Sequence, residues 1–200
     1  MDVRTQFDLR TTGTLLIEPA RLSDIPGLLG LFENIALSAP AWRSLIADGT
    51  VVCARDSGKI VGYYLADHLS LIYEGERLHE LRTAISVLCN RFKLDEEHIA
   101  FGAQTAMTAP CHLTNLRSRM LQVLLRNIGL RHHHLFTFCG KHNPDELETL
   151  LCEGWRCFQE EDDVCYLTLD VAKTLRRLAS ELVFNPRPAK LPLGSRAVAG

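Results

Sequence analysis

The sequence has no long apolar segment and no block of lysine and arginine. No run approaches the roughly 18 apolar residues of a membrane-spanning helix, so no membrane partner is expected. Charges at Asp2, Arg4, Asp8 and Arg10 exclude a signal peptide in the first ten residues. With a formal net charge of −2 and no basic block, nucleic acid is not expected as a partner. These absences predict a cytoplasmic protein.

The cysteines form no disulfide framework that the sequence makes evident. Their number is odd, most of them lie within apolar runs, and a chain of 200 residues does not need covalent staples. We therefore expect mostly reduced and buried thiols, which agrees with a cytosolic location. The positions are Cys53, Cys89, Cys111, Cys139, Cys152, Cys157 and Cys165.

Length and composition indicate one globular domain. Apolar residues make up 46% of the chain and charged residues 23%, and no internal repeat is present. We expect a flexible N-terminus over 1–12 and one domain over 13–184. The segment 185–200 holds three prolines and two glycines, so we expect a disordered tail there.

Apolar periodicity and turn residues predict alternating strands and helices. The strands are predicted at Thr14–Glu18, Thr50–Arg55, Lys59–Leu65, His98–Met107, His134–Cys139, Trp155–Gln159 and Val164–Leu169. The helices are predicted at Ile25–Ile35, Ala41–Ala47, 77–92, from Leu113 or Leu116 to Ile128, Asn143–Glu153 and Val171–Leu182. Strand–helix–strand stretches on either side of Asn115 and Asn143 favour a partly parallel sheet. The expected fold class is α/β, with a mixed sheet of about seven strands flanked by helices.

Three motifs, in this order and spacing, resemble the GNAT superfamily of N-acetyltransferases. The first is Ile17–Pro26, where a strand leads through Ala20 and Asp24 into an apolar helix. The second is the hairpin 50–65, which carries Ile-Val-Gly-Tyr after Gly58. The third places Gly154 and Trp155 eleven and twelve residues after Asn143. The resemblance implies a single GNAT-like domain that moves an acyl group, most simply acetyl, from acyl-CoA to an amine by direct attack.

The resemblance also implies where the acyl-CoA would bind. In this family two central strands splay apart for the pantetheine arm, and the pyrophosphate sits on N–H groups that open the next helix. The matching positions are Met107, Thr108, His112, Asn115, Leu116, Arg117, Ser118 and Asn143. The loop lacks the family's glycines, which let backbone approach phosphate closely. Arg117 and Arg119 could pair with phosphates in compensation.

The groups that would move protons are less defined. Relatives carry a tyrosine seven residues after the asparagine, where this chain has Leu150; Cys152, Tyr166 or water would have to protonate the leaving thiolate. For the base, some relatives carry a glutamate where this strand begins, and this chain has Glu97 and His98 there. His98 is the first candidate because histidine titrates near neutral pH, and Glu97 is the second. Asp67 and His68 are further candidates.

No metal is expected. Three adjacent histidines, 132–134, cannot all face one ion if they lie on a strand. A set of Cys139, His142, Cys152 and Cys157 has no known zinc spacing. Cys111 beside His112 leaves a covalent acyl-cysteine open.

Two alternatives to an acetyltransferase remain open. One is a longer-chain N-acyltransferase that takes its donor from acyl-CoA or acyl carrier protein, with helix 77–92 shaping a wider pocket. The other is a catalytically silent module that binds acyl-CoA or a protein. The acceptor is expected to be an amine-bearing small molecule, peptide or protein, and strands at 155–169 could pair across a homodimer.

Overall fold

The structure is a computed structural model that describes residues 5–7, 15–31, 37–67, 75–107 and 116–184. The strands are β1 (Thr5–Phe7), β2 (Leu15–Pro19), β3 (Val51–Asp56), β4 (Lys59–Asp67), β5 (Ile99–Met107), β6 (His134–Gly140), β7 (Arg156–Glu160) and β8 (Val164–Asp170). The helices are α1 (Ile25–Leu31), α2 (Ala39–Ala47), α3 (Gly75–Phe92), α4 (Leu116–Ile128), α5 (Pro144–Glu153) and α6 (Val171–Phe184). Single 3-10 turns precede α1 at Leu22–Asp24 and β5 at Glu96–His98.

The strands form one mixed sheet in the order β1-β2-β3-β4-β5-β6-β8-β7. Only β5 and β6 pair in parallel; the other described neighbours are antiparallel. The predicted α/β class with a partly parallel sheet is confirmed. The short edge strand β1 is an eighth strand, beyond the seven that the sequence predicts, and it lies within the segment 1–12 that was expected to be a flexible N-terminus. Residues 185–200 lie outside the described residues, so the expected tail stays a prediction.

Both faces of the sheet are buried beneath helices. Along β3, Val52 and Ala54 belong to one core cluster, whereas Val51 and Cys53 belong to another. Helices α4, α5 and α6 cover the first face. On the opposite face, α1 and α2 cover the N-terminal half of the sheet and α3 covers the C-terminal half. No described helix has the length and apolarity needed to cross a membrane.

Helix α5 begins and ends at the residues that the sequence indicates. The side chain of Asn143 accepts a hydrogen bond from the N–H of Glu146 at 3.3 Å, and Pro144 occupies the first helical position. Gly154 ends the helix with a φ of 100°, a left-handed conformation that glycine adopts at little cost. The two caps therefore set where α5 begins, shortly after β6, and where it ends, shortly before β7.

The described cysteines are free thiols with different exposures. Cys53, Cys139 and Cys165 are buried and Cys89 is half-buried, whereas Cys152 and Cys157 are exposed. The expectation of mostly buried cysteines therefore fails for the last two. Cys111 lies outside the described residues.

Candidate active site

Strands β5 and β6 separate after a short stretch of parallel pairing. Their pairing covers three residue pairs and ends at Phe101 and Phe136. Beyond that point β5 continues to Met107 as a partner of β4, and β6 continues to Gly140 as a partner of β8. The sheet therefore opens into a cleft between residues 102–107 of β5 and 137–140 of β6.

A β-bulge in β5 accounts for the separation. Leu65 of β4 pairs with Gln104 and Ala66 pairs with Gly102, so Ala103 is an extra residue in β5. A bulge of this kind bends its strand and increases the local twist. The bend occurs at the first residues of β5 beyond the parallel pairing.

Gly102 allows the close approach at the apex of the cleft. A Cβ atom at this position would lie 2.9 Å from Cδ1 of Leu135, closer than real side chains pack. Glycine lets β5 lie against Leu135 just before the strands diverge. Past this point the facing edges of both strands carry main-chain N–H and C=O groups, to which an extended ligand with amide groups can bond.

Helix α4 is the next described element of the chain after β5. The first N–H groups of a helix have no partner within the helix, and the dipole favours an anion there. Leu116, Arg117 and Ser118 form this first turn. The backbone of Met107 pairs with Gly62 as the last residue of β5. The other predicted residues of the donor site, Thr108, His112 and Asn115, lie outside the described residues.

The side chain of Arg117 points to two carboxylates of α5. Its terminal nitrogens donate to both oxygens of Glu146 at 2.9 and 3.0 Å, and its Nε lies 2.8 Å from Oε1 of Glu153. The guanidinium also lies over the ring of Tyr64, 6.0 Å from the ring centre. Phosphate pairing by this guanidinium, as suggested from the sequence, would compete with these bonds. The pairing of Glu153 with Arg117 could not be predicted, because nothing in the sequence around Glu153 marks it as buried.

Burial dominates the electrostatics of this cluster. It raises the pKa of Glu153 to about 7, although Arg117 acts in the opposite direction. Burial lowers the pKa of Arg117, but its bonds with Glu146 and its neighbours Tyr64 and Glu153 outweigh that effect and raise it. Burial, followed by the charge of Glu153, raises the pKa of Tyr64. Arg117 thus stays charged, while Glu153 can change charge near neutral pH.

The position of the family's proton-donating tyrosine holds a buried leucine. Leu150 is 1% exposed and packs in the core beneath α4. Of the suggested replacements, Tyr166 is buried and donates its hydroxyl to Glu161 at 3.2 Å, whereas Cys152 is exposed on α5. Asn143 is occupied as the cap of α5.

The candidate bases lie at the paired end of β5. His98 and Glu97 belong to the 3-10 turn before that strand, and His98 precedes Phe101 by three positions, roughly 10 Å along an extended chain. The ring of His98 stacks on His133 with centroids 4.6 Å apart, and its Nδ1 lies 3.8 Å from Oδ2 of Asp95. This end of the strand pair lies opposite the open cleft.

The remaining candidates are dispersed. Asp67 ends β4 opposite Phe101, and His68 lies outside the described residues. His132 is buried, whereas His134 is half-buried near Phe92, and burial lowers its pKa. His133 stacks on His98. The adjacent residues His132, His133 and His134 therefore contact different parts of the structure.

The structure is similar to solved acetyltransferases at low sequence identity. An acetyltransferase of the GNAT family from Listeria monocytogenes 4b F2365 matches with a TM-score of 0.59 and 9% identity, covering 83% of this chain and 99% of that chain. The GNAT domain of S. lividans PAT matches with 0.56 and 14%, covering 84% and 96%. Ard1 from Thermoplasma volcanium matches with 0.53 and 10%, covering 80% and 98%. No protein-family model and no curated protein matches the sequence. These likenesses show that the chain has the GNAT fold.

Proposed function

We propose that the chain is an N-acyltransferase that transfers an acyl group, in the first instance acetyl, from acyl-CoA to an amine. The observation that carries this proposal is the cleft, where β5 and β6 diverge after three parallel pairs and the N-terminus of α4 follows β5. Several solved neighbours with this fold are described as acetyltransferases, which supports the same chemistry here.

The cleft suits the donor in two ways. The amide groups of a pantetheine arm can bond to the strand edges beyond Gly102 in the manner of an added strand. The pyrophosphate can accept from backbone N–H groups in the first turn of α4, at Leu116, Arg117 and Ser118. Met107, Thr108, His112, Asn115 and Asn143 complete the proposed donor site. Since Arg117 is held by two carboxylates, we assign it a main-chain contact with the donor and a structural role for its side chain.

The proposed reaction is direct attack by a neutral amine. A base takes a proton from the acceptor ammonium, the amine nitrogen bonds to the thioester carbonyl carbon, and the carbon–sulfur bond breaks. The attacking nitrogen loses its second proton as the amide forms, and water relays this proton to the leaving thiolate of CoA, because Leu150 supplies none. His98, with Glu97 as the second choice, is the proposed base, and it acts through a relay of water molecules because it lies roughly 10 Å before the apex of the cleft.

A thermal titration tests the donor site first. Acetyl-CoA, octanoyl-CoA and free CoA are added to the purified chain, and the melting temperature is followed; a ligand at a hundredfold excess over its Kd adds about 2.7 kcal/mol of stability. We expect a rise with acetyl-CoA. An amine panel then follows, with release of the CoA thiol as the readout. No rise with any of the three ligands would contradict a CoA-dependent enzyme.

The Arg117 cluster favours a second candidate. An arginine bound to Glu146 and Glu153 leaves less positive charge for the phosphates of free CoA. That arrangement suits a longer-chain N-acyltransferase served by acyl carrier protein, or a silent binding module. A larger rise with octanoyl-CoA supports the longer chain. Binding without thiol release from any amine supports the silent module.

A further inference from the structure

A thiol–carboxylate cluster lies at the far edge of the sheet, away from the cleft. It consists of Cys157 and Glu160 on β7 and Cys165 on β8, and one ligand atom of each lies within 4.8 Å of the others. The Sγ of Cys157 is 3.8 Å from Oε1 of Glu160. Strands β8 and β6 separate Cys157 and Glu160 from β5, and Cys165 lies on the side of β6 away from β5, where it pairs with Cys139. The cluster is therefore outside the gap between β5 and β6.

A β-bulge brings the three side chains to one face. Residues three apart on a regular strand point to opposite faces, which would separate Cys157 from Glu160. Here Cys157 pairs with Leu167 and Gln159 pairs with Tyr166, so Phe158 is an extra residue in β7. The extra residue reverses the alternation, and Glu160 pairs directly with Cys165. All three side chains therefore share the face of Leu167.

We propose that Cys157, Cys165 and Glu160 form a binding site for a thiophilic divalent cation of the zinc class. Two sulfurs and one carboxylate oxygen are ligands that Zn²⁺ accepts in a tetrahedral site, with water in the fourth position. With a metal–sulfur distance of about 2.3 Å and a metal–oxygen distance of about 2.0 Å, tetrahedral ligands lie roughly 3.5–3.8 Å apart. The separation of 3.8 Å between Sγ of Cys157 and Oε1 of Glu160 is about 0.3 Å longer than the sulfur–oxygen value of roughly 3.5 Å, so a small side-chain movement would meet that geometry.

The surroundings hold the ligands in place and leave access for a cation. Cys165 is buried, whereas Cys157 and Glu160 are exposed on an edge strand, so an ion can enter from solvent. The second carboxylate oxygen of Glu160 lies 3.3 Å from Nζ of Lys141, the residue that follows β6. This ion pair helps to orient the carboxylate. A bound ion would link β7 to β8 at the edge, where β8 is the one strand among the described residues that pairs with β7.

Cobalt serves as the spectroscopic probe. The full chain is reduced, stripped of metal with a chelator and titrated with Co²⁺ alone. We expect one equivalent to produce a thiolate-to-cobalt charge-transfer band and the visible intensity of tetrahedral coordination. Zn²⁺ should then displace the cobalt and raise the melting temperature.

Three variants distinguish this site from other thiols. Cys157→Ser and Glu160→Gln change exposed ligands and should leave the fold intact. We expect the first to lower the charge-transfer band by about half or more, because one of two thiolates is lost, and the second to weaken cobalt binding. Cys152→Ser removes an exposed cysteine of α5 outside the cluster, so it should bind cobalt as the parent does. The proposal is overturned by the absence of a charge-transfer band, by a band of undiminished intensity in Cys157→Ser, or by an equal loss in Cys152→Ser.

Discussion

The Nε of Arg117 in the first turn of α4 lies 2.8 Å from Oε1 of Glu153 in the last turn of α5. The same guanidinium holds Glu146 in the first turn of α5. One side chain therefore ties α4 to both ends of α5. These helices follow the two strands that form the cleft, so the ion pairs fix its walls relative to each other.

Glu153→Gln should change how stability depends on pH. Burial raises the pKa of Glu153 from 4.5 to about 7, so the folded chain binds more protons at this carboxyl than the unfolded chain between those values. Ionisation therefore lowers the free energy of unfolding of the parent as the pH rises, whereas glutamine cannot ionise. Relative to the parent, the variant should gain about 1–3 kcal/mol between about pH 5 and about pH 8, measured by urea unfolding.

The matched control for this prediction is Glu148→Gln on the same helix. Glu148 is exposed, so its replacement should leave the pH dependence of the parent unchanged. If the difference between Glu153→Gln and the parent stays constant with pH, Glu153 is not the group that titrates.

Arg117→Met should destabilise the chain most strongly at high pH. The substitution leaves the buried carboxylate of Glu153 without its nearest cation, and breaking a buried pair in this way costs about 3–5 kcal/mol. The loss should shrink as the pH falls and Glu153 takes up a proton. The double variant Arg117→Met with Glu153→Gln should recover part of the stability, since no buried charge remains unpaired.

Arg126→Met serves as the comparison for Arg117→Met, because Arg126 is an exposed arginine of the same helix. Its free energy of unfolding should stay within about 0.5 kcal/mol of the parent. Equal losses in the two single variants, or no recovery in the double variant, would contradict the role assigned to Arg117.

Local patterns in the sequence predict most of the elements. Asn143, Pro144 and Gly154 mark the ends of α5 through capping and backbone conformation, which depend on neighbours in the chain. The same holds for the hairpin between β3 and β4, where Ser57 and Gly58 adopt positive φ. Caps and turns depend on residues a few positions apart, so they can be predicted without knowledge of the tertiary structure.

Long-range partners could not be predicted in this way. Glu18, which replaces an arginine of the family's opening motif, is buried and ion-paired with Arg55 at 3.1 Å, and Arg55 also bonds to Asp24. This pairing joins residues 37 positions apart along the chain. The β-bulges at Ala103 and Phe158 likewise depend on the register of a neighbouring strand. For that reason the apex of the cleft and the thiol–carboxylate cluster emerged only from the structure.

Gly102→Ala should weaken the donor site. The added methyl group would meet Leu135 at 2.9 Å, and overpacking of this kind typically costs about 1–3 kcal/mol. Relief requires the side chain of Leu135 to turn away from its place at the apex of the cleft. We expect a lower melting temperature and a smaller rise with acetyl-CoA. Gly27→Ala adds the same methyl group on α1, 3.2 Å from the flexible end of Ile60, and should keep the acetyl-CoA response.

His98→Gln should separate catalysis from donor binding. A base that deprotonates the acceptor typically contributes about a hundredfold or more to the rate, so kcat/KM for the amine should fall by at least that factor. The acid limb of the pH profile should disappear with it, because glutamine cannot take up a proton. The rise in melting temperature with acetyl-CoA should persist, since His98 lies at the paired end of β5 and the donor is proposed to bind beyond Gly102.

Glu97→Gln, made in the same 3-10 turn, decides between the two candidate bases. If His98 is the base, Glu97→Gln keeps both the rate and the acid limb of the profile. If the losses appear in Glu97→Gln instead, the carboxylate takes the role. Should both variants retain the parent's rate, neither residue is the base, and the amine loses its proton to water or to a group beyond this turn.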